Sequence, residues 1–317
     1  MKKQKIRFYA ALLCSSMVFS LVSTPVSAAE TGQLTNPPTS TEELSSPESI
    51  SGNEAASALN GLSVLAANGE AEVTTASELT GALADSSISR ITLKGDIDIG
   101  STLTVNRTVT LDLNGCVLKM TGSDSVIKVE ADGDLTIQDR NTTTQHKFNP
   151  HCKYLTWYID MWELDNGGSE IVSGGVITGG GGDQSNGGGV LVAGGTLVMA
   201  GGSIVGCSAM SRGGGVCNNG TFIMSDGMIK GCTSPDGQYA SGGGVRNSNQ
   251  FTMTGGMIGD PDNENDASHV YNTSSQETTL TISGNAKIYT DITNVGILNA
   301  DGGEIAGTMT NDTNRYG

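Results

Sequence analysis

Apolar residues recur every 25–29 residues in the second half of the chain, and this period constrains the fold more than any other feature of the sequence. Three series of residues share the period. The first follows the glycine triplets or, for Val270, lies in the degenerate "SHVYN" stretch. The second lies two residues before each GG pair or its substitute, and the third is the isoleucine that follows. Their members are Val190, Val216, Val245 and Val270; Val172, Met199, Met224, Met253 and Ile282; and Ile177, Ile204, Ile229 and Ile258. A period of about 20–50 residues indicates a repeat protein in which each unit buries its apolar face on its neighbours.

The length of the unit selects among repeat architectures. A propeller blade needs about 40 residues or more, and the Leu/Asn consensus of leucine-rich repeats is absent. Three short strands separated by Gly/Asn turns fit one coil of a parallel β-helix, with glycine at the corners. Leu93, Leu113 and Ile137 continue the Met199 series towards the N-terminus. We therefore expect an all-β solenoid of eight or nine coils.

The glycine runs do not indicate a phosphate site. No lysine follows them, as a P-loop requires, and the alternating strand pattern from residue 91 contains no helix for a βαβ unit.

The beginning of the chain predicts export. Residues 1–28 combine a basic start, a short apolar stretch and a small-residue cleavage site, which is typical of a signal peptide. Residues 29–71 have the composition of a disordered linker. Residues 72–90 form the predicted N-terminal cap, in which Thr75 and Glu78 match a capping box for a helix over 76–85. Residues 91–317 form the predicted β-helix.

The chain is acidic, with 17 Lys and Arg against 33 Asp and Glu. The predicted signal peptide holds four of the basic residues and none of the acidic ones, which leaves 13 against 33. Such a surface disfavours nucleic acid and anionic lipid as partners. We expect no membrane insertion and a monomer.

The strand pattern and the repeat together resemble a known group. "ITLKGDIDIGSTLTVNRTVTLDLNG", "GGVITGG" and the recurring "GGGV…TFxMxGGxIxGC" look like the right-handed parallel β-helix surface proteins of gut-dwelling bacteria, within the pectate-lyase-like fold group. The resemblance covers residues 72–317. It implies a right-handed solenoid and either a non-catalytic adhesin or a polysaccharide lyase or hydrolase.

The repeat is interrupted at residues 139–168, which we interpret as an insertion loop. Aromatic rings beside carboxylates make a candidate glycan-binding surface there, since rigid scaffolds carry function on loops. The alternative is that the aromatic rings pack the loop onto the side of the solenoid. The candidate binding residues are Tyr154, Trp157, Tyr158, Asp160, Trp162 and Glu163.

Two sets of polar residues recur at equivalent positions. Asn218, Asn247 and Asn272 follow the aligned valines and predict a structural ladder of stacked amides. Cys207 and Cys232 lie one coil apart, where a disulfide or two stacked free thiols would fit. We expect no metal site. Weak calcium binding at the acidic turn 260–268 is an alternative to a solvated loop.

The sequence thus favours a secreted or cell-surface, non-catalytic protein for adhesion or glycan contact, without a cofactor. A polysaccharide lyase or hydrolase and a purely structural stalk stay open as alternatives. The partner in the first case would be a host or microbial polysaccharide.

Overall fold

The computed structural model describes residues 69–153, 160–181, 186–234, 242–263, 266–273 and 277–311; the side chains of residues 151–153, 160 and 161 are outside this description. The predicted signal peptide and nearly all of the predicted linker therefore lie outside the described residues. In chain order the elements are β1 Glu70–Val73, α1 Ala76–Ala84, β2 Arg90–Leu93, β3 Ile97–Ile99, β4 Leu103–Val105, β5 Thr108–Asp112, β6 Val117–Met120, β7 Ile127–Val129, β8 Asp134–Gln138, β9 Gln145–Lys153, β10 Asp160–Leu164, β11 Glu170–Ser173, β12 Val176–Thr178, β13 Val190–Val192, β14 Thr196–Val205, β15 Val216–Asn218, β16 Thr221–Lys230, β17 Val245–Asn247, β18 Gln250–Met253, β19 Met257–Ile258, β20 Val270–Asn272, β21 Thr279–Ile288, β22 Ile292–Asn294, β23 Ile297–Ile305 and β24 Met309–Asn311.

Two parallel sheets make up most of the molecule. An eight-stranded sheet, here sheet 1, has the order β24-β22-β20-β17-β15-β13-β7-β4. A 13-stranded sheet, here sheet 2, contains β1, β2, β5, β8, β14, β16, β18, β21 and β23 and, in a second row, β3, β6, β12 and β19. The second half of β14 pairs with β12, and that of β16 pairs with β19. The predicted all-β class is confirmed. The strands stack in parallel and bury one set of apolar side chains, which is consistent with a β-helix.

The strand registers reproduce the sequence series. Val216 lies opposite Val190 and Val245, and Val245 lies opposite Val270. Ile204 lies opposite Ile177. The remaining matched pairs are Met199 with Met224, Met224 with Met253, Met253 with Ile282, Ile204 with Ile229, and Ile229 with Ile258. These side chains are buried, so the period reflects an apolar core that runs from coil to coil.

Three positions in the predicted series were wrong. Val172 belongs to no coil, because it pairs in antiparallel fashion with His146. Ile137 lies opposite Leu111 rather than Leu113, and Leu111 in turn lies opposite Ile91 rather than Leu93. Leu111 and Leu113 are both buried, and residues two apart in a strand share a face, so the pattern did not distinguish them.

The glycine triplets let neighbouring coils approach closely. Gly213 has φ +61°, in the left-handed region, and begins the turn into β15. Gly214 has no such dihedral, but a Cβ there would overlap the carbonyl oxygen of Thr233 in the next coil. Position 214 therefore requires glycine because two backbones approach closely there. Position 213 requires it because the turn needs a positive φ.

The N-terminal cap is built around α1. The Thr75 side chain accepts from the N–H of Glu78, and the Glu78 side chain accepts from the N–H of Thr75, which confirms the capping box. Arg107, from the next coil, donates to the carbonyls of Leu83 and Ala82 at 3.0 and 2.8 Å. A cation at this end complements the helix dipole. β1 begins at Glu70, within the stretch that the sequence assigned to the linker.

β9, β10 and β11 form a third sheet, here called the flap. β9 pairs with β10 and with β11, both in antiparallel fashion. The sequence predicted an insertion loop over 139–168, and its described part contains β9 and β10, which form the sheet together with β11 just beyond it. The pattern did not show this because β9 contains a proline and has no clean apolar alternation.

Candidate functional site

The flap carries the residues that the sequence singled out for glycan binding. Tyr154, Trp157 and Tyr158 lie outside the described residues. Asp160 begins β10, but its side chain is outside the description. Glu163 is exposed, whereas Trp162 is only 1% exposed.

Trp162 is a packing residue in this structure. Its ring lies 6.4 Å from that of Phe148, in a cluster with Val172, Val176 and Val205 on the outside of sheet 2. The backbone N–H of Trp162 donates to the carbonyl of Gly231 at 3.3 Å. An indole ring this buried cannot stack on a sugar ring. The structure therefore supports the packing alternative for Trp162 and not the binding role.

Glycine makes this packing possible. Gly231 has φ +60°, and a Cβ at that position would overlap Cγ of Trp162. The glycine of the "GC" pair in the repeat therefore has a second role here: it leaves the space that the indole occupies.

A group of buried charges lies beneath Trp162. Lys230 Nζ is 4.3 Å from the centre of the indole ring and 3.4 Å from Oδ2 of Asp260. The two side chains of this ion pair are 8% and 6% exposed. Asp266 accepts from the N–H of Gly231 at 3.1 Å and from the N–H of Ser268 at 2.9 Å. Burial raises the pKa of the Asp266 carboxyl, the hydrogen bonds from Ser268 and Gly231 lower it, and the charge of Asp260 raises it.

The sequence missed this charged group. It treated 260–268 as a solvated acidic turn or a weak calcium site, but Asp260 and Asp266 are buried. Lys230 occupies the position that Val205 and Thr178 occupy in the preceding coils. Lys119 and Asp98 occupy the same position in earlier coils, so a charge at this position did not indicate that Lys230 is buried.

An open groove follows the corner of the coils formed by β16, β18–β19 and β21. This corner groove has a volume of about 450 Å³. Its walls include the exposed polar side chains Asp226, Thr254, Asn285 and Lys287, and its floor includes the half-buried Met228 and Met257. The Asp226 carboxylate accepts from the N–H of Gly227 at 2.7 Å. Donors, acceptors and apolar surface in one concave site are what a neutral or mixed-charge ligand needs.

The outer face of sheet 1 has a different character. Arg246 donates to Oγ of Ser248 at 2.8 Å and lies 6.0 Å from the ring of Tyr271 on the next coil. Burial lowers the pKa of the Arg246 guanidinium, and the positive charge of Arg212 lowers it further. Arg212 and Arg246 therefore lie close enough for their positive charges to interact.

The predicted asparagines form one continuous ladder. The amide nitrogen of Asn218 donates to the amide oxygen of Asn247 at 2.7 Å, and Asn247 donates to Asn272 at 2.8 Å. The structure extends the ladder to Asn294 and Asn311, at 2.7 and 3.0 Å. The sequence missed these two because Ile292 and Met309 stand before them in place of the aligned valines.

Cys207 and Cys232 are both buried free thiols in the structure, not a disulfide. Cys207 Sγ faces the carbonyl oxygens of Ile177 and Val205, and Cys232 Sγ faces those of Ile204 and Lys230. Burial raises the pKa of the Cys232 thiol, which opposes formation of a thiolate.

Two types of site are absent from the described part of the chain. No group of three or more His, Cys, Asp or Glu residues is arranged to hold a metal ion there. No helix among these residues is long and apolar enough to cross a membrane.

The fold and the sites define an all-β protein of stacked parallel strands with an external flap. Residues 70–173 match the family model described as "Putative pectate lyase-like adhesive domain". The match includes the cap, the first coils and the flap. It ends before the corner groove and before the buried charged residues Lys230, Asp260 and Asp266. No curated protein matches the chain. No solved structure matches it either.

Proposed function

We propose that this chain is an exported, right-handed parallel β-helix of eight or nine coils that acts as a non-catalytic adhesion module at or outside a bacterial cell surface. The description of the matched family, which names adhesion, supports the functional class. Parallel strands joined in one sheet are connected in a right-handed sense almost without exception, which supports the handedness. The eight strands of sheet 1 support the number of coils.

The ligand that we propose is a polysaccharide bound in the corner groove, and the groove itself is the observation that carries this assignment. Hydroxyl-rich chains need donors and acceptors placed along an open surface, together with apolar patches for the C–H faces of the rings. Asp226, Asn285 and Lys287 supply the polar groups, and Met228 and Met257 supply the apolar floor. The groove crosses three neighbouring coils, so a linear ligand can lie along the stack.

The flap remains a second contact surface in this proposal. Tyr154, Trp157, Tyr158 and Asp160 stay candidates, and Glu163 is exposed. Trp162 takes no part because it is buried.

A glycan array tests the groove. Asp226→Ala combined with Lys287→Ala should reduce binding at least tenfold, because each removes one polar wall of the groove. The matched control is Asp98→Ala with Lys119→Ala, which removes the same two charges from the same outer row, at paired positions in β3 and β6. Equal binding by both double variants and the unaltered chain would exclude the groove.

Two further measurements separate the alternatives. Trp157→Ala, tested alone on the same array, reports on the flap without disturbing Trp162. Formation of unsaturated products from polygalacturonate in the presence of calcium would contradict the non-catalytic assignment and favour a lyase.

A further inference from the structure

The pair formed by Lys230 and Asp260 is unusual for an ion pair. A charge-assisted hydrogen bond between an ammonium and a carboxylate is usually about 2.7–2.9 Å long. The Nζ–Oδ2 distance here is 3.4 Å, and the ammonium, which has three donors, has no other acceptor among the described residues.

The surroundings make the two charges costly. Both side chains are more than nine-tenths buried, and the indole of Trp162 covers the ammonium. Desolvation of a buried pair is repaid only by close geometry and further hydrogen bonds, which Lys230 lacks. Asp266 adds a third ionisable group, and the charge of Asp260 acts on it. A reaction that removes both charges of the pair would relieve this cost.

We propose that Lys230 and Asp260 condense to an intramolecular isopeptide bond. The amine lone pair of Nζ attacks Cγ of the protonated Asp260 carboxyl, and the C–N bond forms. One C–O bond breaks, and the departing hydroxyl leaves with a proton from the nitrogen as one molecule of water. The step is redox-neutral and needs no co-reactant.

The geometry meets the two requirements of such a reaction. The amine must be held against the carboxyl group that it attacks, and Nζ lies 3.4 Å from Oδ2, the oxygen bonded to Cγ. The site must also exclude bulk water, and both side chains are more than nine-tenths buried, with the indole of Trp162 over the ammonium.

The bond would join neighbouring coils. Lys230 ends β16 and Asp260 follows β19, and these strands are paired through Met228–Met257 and Ile229–Ile258. An amide at this place would tie two coils together on the outside of sheet 2 and resist their separation under tension.

Intact-mass spectrometry of the whole chain tests the proposal. The measured mass should be lower than the mass calculated for the same chain ends by one water molecule. Tryptic digestion should give residues 213–246, uncleaved after Lys230, joined to residues 247–287. A mass equal to the calculated value, with cleavage after Lys230, would show an ion pair only and overturn the proposal.

Two variants give the matched controls. Lys230→Arg keeps a cation under the indole and should lose no water, and Asp260→Ala removes the electrophile and should also lose none. Loss of water in either variant would show that the dehydration occurs elsewhere and would overturn the assignment. If a variant does not fold, the mass and the digest of the unaltered chain still decide the question.

Discussion

The coils that carry the asparagine ladder and the flap that carries Trp162 are stabilised in different ways. In the ladder, each amide makes the same contact with its equivalent one coil away, from Asn218 to Asn311. In the flap, Trp162 contacts a different residue type on each side: Phe148, Lys230 and Gly231. A repeated contact leaves a period in the sequence, whereas a contact made once leaves none. This difference explains which parts of the molecule could be predicted.

Trp162→Ala should have the largest effect. Removing a fully buried tryptophan costs about 3–5 kcal/mol, and here it also uncovers Lys230. Hydrogen exchange should show faster exchange in β9–β11, with the protection of β15 and β17 nearly unchanged. Equal loss of protection in both regions would show that the flap and the coils open as one unit.

Asn247→Ala tests the ladder in the same way. It leaves Asn218 Nδ2 without its amide acceptor and the carbonyl of Thr279 without its donor, so we expect a loss of about 2–4 kcal/mol. Hydrogen exchange should increase in the coils around β17 and not in the flap. The exposed Asn219→Ala is the control, and a similar loss in that variant would argue against the ladder as the cause.

Thr75→Ala tests the cap that closes the first coil. Loss of an N-cap side chain costs about 1 kcal/mol, and Glu78 loses its reciprocal partner. Exchange should increase in α1 alone. Thr80→Ala, which removes a hydroxyl that bonds to the carbonyl of Ala76 within the same helix, is the control and should leave the cap intact.

The smallest effect concerns pH. The pKa of Asp266 is raised in the folded state from its ordinary value of 3.8, so the folded chain holds this proton more tightly than the unfolded chain. Its contribution to stability is therefore present at low pH and falls as the pH rises from about 4 through the raised value. Asp266→Asn should remove this decline while it keeps an oxygen for the Gly231 and Ser268 N–H groups. Urea unfolding from pH 4 to pH 7 would show a flatter profile, and an unchanged slope would contradict the assignment.

Much of the coil architecture could be predicted from particular residues. The valines of sheet 1 and the isoleucines of sheet 2 lie in the registers that their spacing predicted. The early coils were harder because Leu111 and Leu113 both face inward. The role of Trp162 was weighed but not decided, since a sequence gives no information on whether a tryptophan in an insertion is covered.

The sequence by itself determined the parallel coils, the cap and the ladder, because each depends on residues that recur or on signals within a few positions of one another. Only the tertiary structure decided that Lys230, Asp260 and Trp162 meet. Asp260 lies 30 positions after Lys230 in the sequence, and Trp162 lies 68 positions before it. The three residues belong to three different elements or turns. Stacking of the coils brings Asp260 beside Lys230, and the space left by Gly231 admits the indole above them.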